Sequence, residues 1–568
     1  MYIKQKFKIN EIISIISKKN FFVLLLSILF SILLTSIEIL SLSLIVPLMD
    51  LMLNQETNNI IFDNFLTKFG LKNFYTIENV LFIFVAIYFV KTIFFIFINY
   101  FNQTCFLKIA IFVKAKLLNK YLSMEYSKYL NKNKSELLVN VDQTTSIFAY
   151  NFVGSIISIF SELLLFSVII LLLLFHDFDM TFLIMVMFII FSSIYFILTK
   201  KKIRTMGIEA VKFNQLTTRY LNEIFKGLKF IKISTKIEIY VNKINLIILN
   251  NLKIQRNLSI LSTLPRVSLE FITIFIFAIL VIFFKNQDNL QFVSTMTLYV
   301  VAAMRIIPSI SKILQSIQNY KFGRESFSVL KKDLILNEKY ENKTKTELLN
   351  ITEFNKDIKL ENISFSYNIG EEPVLEKFNF EVNKNEKVIL LGQSGSGKST
   401  LIDIILGFLK PDEGTIKLDN KNITKQKYNL NKIVGYVPQQ TFLFDDTIEK
   451  NISLEFYSSR IDYSKLKNSI EKTELSDFVE SKENSYKTRI GDDGEMISGG
   501  QKQRISIARA LYKDPEILIF DEATNSLDEK TELDIINSIL SLKNKTIIFI
   551  THNRNLVKYF DRVFELSN

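Results

Sequence analysis

The chain has 568 residues, 49% hydrophobic and 13% aromatic, with a net charge of +12 and one cysteine, Cys105. That length exceeds a single core and allows two sizeable domains, while a mean hydropathy of +0.23 suggests a membrane class, not an ordinary soluble domain, and one cysteine excludes a disulfide framework. The basic excess does not point to nucleic acid, because much of it flanks apolar stretches, as in Lys200-Lys201-Lys202-Ile203-Arg204, a pattern of loops held at the cytoplasmic face of a membrane.

Six apolar runs follow one another at 21–47, 80–101, 152–175, 180–199, 263–284 and 292–313. Each holds about 20 residues or more, enough to cross a bilayer as a helix, and buried helices of a soluble protein seldom give six such runs. The first lacks a small-residue cleavage site and reads as a retained anchor. Segments 1–20, 102–151 and 200–262 together carry about 25 Lys and Arg, whereas 54–79, 176–179 and 285–291 carry about three, so the positive-inside rule places both termini and the two long loops in the cytoplasm. The long loops have amphipathic helical patterning, as in Tyr220-Leu221-Asn222-Glu223-Ile224-Phe225-Lys226, expected of helices projecting beyond the bilayer. Segment 54–79 reads equally as a short surface helix, with Ile60, Ile61, Phe62, Phe65, Leu66 and Phe69 on one face, or as a loop. A charged stretch then separates two halves: 1–330 as a transmembrane domain, 331–356 as a linker and 357–568 as a nucleotide-binding domain.

In the second half, the strand-like Lys387-Val388-Ile389-Leu390-Leu391 runs into Gly392-Gln393-Ser394-Gly395-Ser396-Gly397-Lys398-Ser399 and a helix-like segment opening at Thr400. Glycines let loop amides wrap phosphate oxygens, and the helix N-terminus adds favourable partial charge. Lys398 is placed to reach the β- and γ-phosphates of ATP and Ser399 to ligate Mg2+. Downstream, Ile517-Leu518-Ile519-Phe520 is an apolar strand ending in Asp521 and Glu522. Asp521 suits the Mg2+ shell, and Glu522 suits a general base on the attacking water. A further strand, 546–550, ends at Thr551-His552, so His552 falls at the same sheet edge, where it can hold the γ-phosphate and the water. The other histidine, His176, sits at a membrane boundary beside Asp177 and reads as interfacial.

The order of these motifs resembles the ABC transporter family. Ile497-Ser498-Gly499-Gly500-Gln501 is similar to its signature, with Ile in the usual Leu place, Gln439 in Tyr436-Val437-Pro438-Gln439 to its Q-loop, and Asn525-Ser526-Leu527-Asp528 to its D-loop. The resemblance implies six transmembrane helices with long cytoplasmic extensions followed by an α/β P-loop ATPase, the type IV exporter arrangement. It implies that Tyr367 stacks on adenine, that Gly392, Ser394, Gly395, Ser396, Gly397, Lys398, Ser399 and Thr400 hold the nucleotide, and that Ser498, Gly499, Gly500, Gln501 and Asp528 complete it. Gln439 joins Ser399 and Asp521 around the metal and Glu522 and His552 in catalysis. Because the signature of one subunit closes on the phosphate loop of another, the resemblance implies a homodimer, with coupling helices in the long cytoplasmic loops.

Three cations fall in or beside the apolar runs: Lys91, Arg266 and Arg305, with Glu38, Glu162 and Glu270 as the acids nearby. A charge at the bilayer centre costs about 3 kcal/mol on insertion scales, so each needs a reason. Arg266 and Glu270 are i, i+4 on one helix and either neutralise each other or face a cavity. The cations together suit a wet cavity for an anionic headgroup such as a lipid diphosphate. Within the family, Ser36-Ile37-Glu38, Lys229-Phe230-Ile231-Lys232, Pro265-Arg266 with Leu269-Glu270, and Arg305-Ile306-Ile307-Pro308 resemble the lipid-linked oligosaccharide flippases of bacterial protein glycosylation. That resemblance implies ATP-driven flipping of a polyisoprenyl-diphosphate oligosaccharide across the bacterial cytoplasmic (inner) membrane, with membrane lipids and the lipid-linked glycan as partners. Export of a peptide, lipid or drug by the same architecture stays open, as does a nucleotide-gated channel or regulatory ATPase.

Overall fold

The computed structural model describes residues 9–44, 48, 77–176, 178–284, 289–336, 348–368, 372–393, 395–424, 427–524 and 529–566. The chain divides into two compact units, one of Met1–Met124 with Lys128–Lys343, the other of Glu125–Ser127 with Thr344–Asn568.

The first unit is helical. A short α1 (Ile9–Ile16) precedes α2 (Lys18–Ser43), α3 (Ile77–Leu122), α4 (Gly154–His176), α5 (Phe178–Lys226), α6 (Ile237–Phe284) and α7 (Asn289–Lys331). Among the described residues, six helices of this unit are long and apolar enough to cross a membrane, by length and composition. Most outrun the apolar stretches read from sequence. The 49 residues of α5 rise about 1.5 Å each, far more than the roughly 30 Å of a hydrocarbon core. The amphipathic loop segments are therefore continuations of the same helices, and helical turns from Lys134 lead into α4. Pro265 and Pro308 lie within α6 and α7.

Close helix approach depends on small residues where a side chain has no room. A Cβ at Gly323 of α7 would sit 2.9 Å from the Phe152 backbone nitrogen, and one at Gly207 of α5 would sit 2.8 Å from the Phe322 carbonyl oxygen. Tightness of this kind supplies the van der Waals packing that holds membrane helices together. Beside that contact the rings of Phe148, Phe152 and Phe327 stack, 5.0–6.1 Å apart, all fully buried. Segment 54–79, read as surface helix or loop, lies outside the described residues except at 77–79, where α3 begins. Of the stretch read as a linker, 331–336 continues the last helix. Further along it, β1 (Leu348–Asn350) pairs in parallel with β7 (Lys427–Asn429) of the second unit.

The second unit is α/β. Its central sheet is parallel, with β4 (Lys387–Gly392), β8 (Val434–Val437), β9 (Ile517–Asp521), β10 (Thr546–Thr551) and β11 (Arg562–Leu566) in the order β11-β4-β10-β9-β8. Strands β9 and β10 are buried throughout, which is why they read as unbroken apolar runs. Alternation sends Val388, Leu390, Ile517, Ile519, Ile548 and Ile550 into one core and Ile389, Leu391, Leu518, Phe520, Ile547 and Phe549 into the other. Against the first core lies an antiparallel sheet of β2 (Asp357–Phe365), β3 (Leu375–Asn383), β5 (Glu413–Leu418) and β6 (Lys421–Asn422). A separate helical core gathers Leu443, Ile448, Leu466, Ile470, Ile490 and Ile505.

Gly414, at the start of β5, has φ of 93°, and a Cβ there would meet the carbonyl oxygens of Asn362 and Glu361 at 2.4 and 2.5 Å. Backbone atoms of an inner strand cannot yield as a flexible side chain does. Gly414→Ala is therefore expected to destabilise the protein by about 3 kcal/mol. Thermal unfolding of the full-length protein in detergent measures this, and a loss below about 1 kcal/mol contradicts the packing argument.

Candidate active site

Strand β4 delivers Gly392 at its C-terminal end, and the loop that follows turns into α8 (Lys398–Ile405). Gly395 and Gly397 have φ of 87° and 89°, a left-handed backbone that side chains other than glycine strain to adopt. At Gly392 the constraint is space, since a Cβ would meet Ser396 Oγ at 2.6 Å and the Leu566 carbonyl oxygen at 2.8 Å. Lys398 is buried, and its Nζ donates to the carbonyl oxygens of Gly392 and Gln393, both at 2.7 Å. Ser396 Oγ is buried and has no hydrogen-bond partner among the described residues. A polyanion settling in this loop would offer acceptors to that hydroxyl, to Lys398 and to the free amides opening α8, so the residues present fit a nucleotide phosphate chain. Ser394 lies outside the described residues.

The sheet register assembles the rest. Ile550 pairs with Asp521 and Thr551 with Leu391, so the ends of β9, β10 and β4 lie side by side. Asp521 is 4% exposed, and the Tyr436 hydroxyl donates to its Oδ2 at 3.5 Å. Burial pushes its carboxyl above the usual range, with the nearby Ser399 and Tyr436 hydroxyls acting the other way. Asp403 lies close enough that its carboxyl, raised chiefly by burial and then by the Asp521 charge, is pushed up to about 6. Two acids disfavouring each other's charge beside a serine hydroxyl form a setting that a divalent cation relieves. Asp403 was not among the residues expected from sequence. Its spacing of four from Ser399 on α8, one helical turn on the same face, is the signal that finds it.

Glu522 leaves the strand with φ of 48°, its amide bonded to the Ile550 carbonyl at 3.0 Å. A non-glycine residue held left-handed at a strand end is strained, and such strain clusters at functional sites. Gln439, two residues beyond β8, donates from Nε2 to Glu522 Oε2 at 2.7 Å. His552 follows β10 and is exposed, and with Gly392, Gln393, Ser396, Arg554 and Glu565 it lines a cavity of about 530 Å³ beside the phosphate loop. Tyr367 is 48% exposed, and its hydroxyl shares a 3.0 Å hydrogen bond with Thr400 Oγ1. The structure thus gathers Gly392, Ser396, Lys398, Ser399, Asp521, Glu522, Gln439 and His552 around one sheet edge.

Ser498, Gly499, Gly500 and Gln501 stand instead at the start of α9 (Gly499–Tyr512). Ser498 caps that helix by accepting from the Gln501 amide at 3.2 Å, and Gln501 Oε1 accepts from the Ser498 amide at 3.0 Å. Such a capping box fixes a helix N-terminus whose amides favour anions. The D-loop residues Asn525–Asp528 lie outside the described residues.

Residues 375–525 match the family described as ABC transporter. Those residues are an ABC transporter domain. Over 215 residues the chain is 40% identical to the lactococcin-G-processing and transport ATP-binding protein LagD of Lactococcus lactis subsp. lactis, a match covering 38% of this chain and 30% of that protein. It is 37% identical over 213 residues to the ATP-dependent lipid A-core flippase of Saccharophagus degradans, covering 37% and 36%. The chain therefore spans about a third of the length of these curated relatives. In fold it is similar to a bacterial Atm1-family ABC exporter solved with ATP bound, at TM-score 0.75 and 18% identity, across 97% of this chain and 93% of that one. The fold is thus similar to that of the exporter solved with ATP bound, with six membrane-length helices among the described residues preceding the matched ABC transporter segment.

Within the membrane unit the three candidate cations part company. Lys91 of α3 donates from Nζ to Glu38 Oε1 of α2 at 2.9 Å. Arg305 of α7 approaches the same oxygen with Nε at 2.8 Å. That nitrogen has no hydrogen bond within normal angles, so the approach is a charge contact. Arg266 bonds instead to Glu270 on its own helix at 2.9 Å, with both side chains largely exposed. Glu162 accepts from Lys312 at 2.7 Å. The i, i+4 pairing weighed for Arg266 is the arrangement found, and Glu38 is the partner that sequence spacing had no means to assign to Lys91 and Arg305.

Proposed function

We propose that the chain is an ATP-driven flippase that works as a homodimer in the bacterial cytoplasmic membrane and moves a polyisoprenyl-diphosphate-linked oligosaccharide. The observation that carries this reading is the meeting of Lys91 and Arg305 on one carboxylate among membrane-length helices, at 2.9 and 2.8 Å. Two cations against one acid leave a net positive charge where hydrocarbon penalises any charge, and an anionic headgroup is the ligand that such a surplus suits.

ATP supplies the phosphoanhydride whose hydrolysis drives the cycle. In the proposed cycle Lys398 and the loop amides bind the phosphates, Ser399, Asp521 and Gln439 hold Mg2+, and Tyr367 takes the adenine. Glu522 accepts the proton of the attacking water, with Gln439 orienting its carboxylate and His552 holding the γ-phosphate side. The Ser498–Gln501 helix start and Asp528 of the second copy close the opposite face, which is why one chain makes only half of each site.

Reconstituted protein is expected to flip a labelled polyisoprenyl-diphosphate oligosaccharide in liposomes only when ATP is present. If ATP is hydrolysed and no lipid diphosphate moves, the substrate reading fails and export of a peptide or another lipid takes its place. Relatives named as a lactococcin-G-processing and transport protein and a lipid A-core flippase keep that second reading in view.

A further inference from the structure

Glu38 holds both cations with a single oxygen. Lys91 Nζ and Arg305 Nε both contact Oε1, whereas Oε2 is buried without a hydrogen-bond partner among the described residues. A carboxylate present only to neutralise an arginine ordinarily meets it with two parallel bonds. Here the acid lies deepest, with its side chain 3% exposed, while Lys91 and Arg305 keep 16% and 30% exposure. The cations belong to α3 and α7 and the acid to α2, so three helices converge on one oxygen. The Tyr88 ring, 4.3 Å from Lys91 Nζ, covers that ammonium from its own helix. Without Glu38 the two cations would repel at close range in a poorly polarisable setting.

We propose that Glu38 is the built-in counter-anion of the headgroup site: it holds Lys91 and Arg305 together between transport events and weakens their grip on a lipid diphosphate enough for release. This inference rests on the anionic-headgroup reading above. A transport site must bind well enough to load and weakly enough to let go. Two positive groups and one negative leave a single surplus charge, whereas the bare pair would retain a diphosphate. Glu38 acts through the cations and is a positioning residue.

The test uses full-length protein in nanodiscs, with ATP hydrolysis titrated against farnesyl diphosphate, a short prenyl diphosphate. Glu38→Gln is expected to lower the half-stimulating concentration about tenfold, because one repelling charge is removed from an anion site. The double variant E38Q/K91M restores the single surplus charge and is expected to return the midpoint to within about twofold of the unaltered protein. A purely structural role for Glu38 weakens binding or leaves it unchanged, and either result in E38Q overturns the inference. If E38Q does not assemble, E38Q/K91M decides alone: a midpoint near that of the unaltered protein supports the inference, and loss of the response overturns it. A response that Arg305→Met weakens but E38Q leaves unmoved sinks this inference and spares the headgroup reading. No response in the unaltered protein sinks both.

Discussion

Glu522→Gln is expected to lower steady ATP turnover by about 10²–10⁴-fold, the usual worth of a general base. The substitution preserves volume and backbone but exchanges an acceptor of protons for an amide. The surroundings make it a clean comparison, because the left-handed backbone at φ of 48° and the amide bond to Ile550 do not depend on the carboxylate. The 2.7 Å contact from Gln439 must be re-formed, and an amide oxygen accepts it as well as a carboxylate does. Phosphate release under saturating ATP measures the turnover. A variant retaining more than about a tenth of normal activity would remove Glu522 from the base role. With phosphate binding intact, nucleotide should remain trapped, so retention of labelled ATP after rapid buffer exchange separates lost chemistry from lost binding.

Among the three membrane cations, Arg305→Met is expected to reduce lipid-diphosphate transport about tenfold or more, the scale of one lost charge contact. Arg266→Met is expected to change it less than twofold. The contrast follows from their partners. Arg305 shares a buried carboxylate with Lys91, and its loss leaves a neutral Lys91–Glu38 pair with no surplus charge for an anion. Arg266 already has Glu270 on its own helix, and its side chain is 68% exposed. Flux of a labelled prenyl diphosphate at fixed ATP in liposomes reads both variants. Equal losses in the two would mean that all three cations form one site, and equal indifference would remove the anion from the mechanism. Glu38 stays paired in both variants, which avoids the cost of a buried charge without a partner.

Several features are legible in the sequence because they are local. Strands β4, β9 and β10 read as apolar runs since the parallel sheet they form is covered by a core on each face, and the glycines of 392–397 announce a loop whose backbone must come close to something. The extent of the membrane helices is less legible. The apolar run at 180–199 ends at Thr199, yet α5 continues to Lys226, because a helix does not stop where the bilayer stops but where capping and backbone chemistry stop it. Asp403 is hidden because an acid on a helix looks like solvated surface until a strand end is laid beside it.

By itself, the sequence determined the six bilayer-length helices, the phosphate loop and the order of acid and histidine strand ends, all consequences of composition and spacing within about 25 residues. Only the tertiary structure decided which charges meet. Helix rotation set Glu38 of α2 against both Lys91 of α3 and Arg305 of α7 and left Arg266 to its own helix. Strand register brought Asp521 level with Ile550, and the turn after β8 carried Gln439 to Glu522. The physical reason is the same in each case. A contact between residues distant along the chain depends on the rotation, register and packing of whole elements, and no local pattern encodes those.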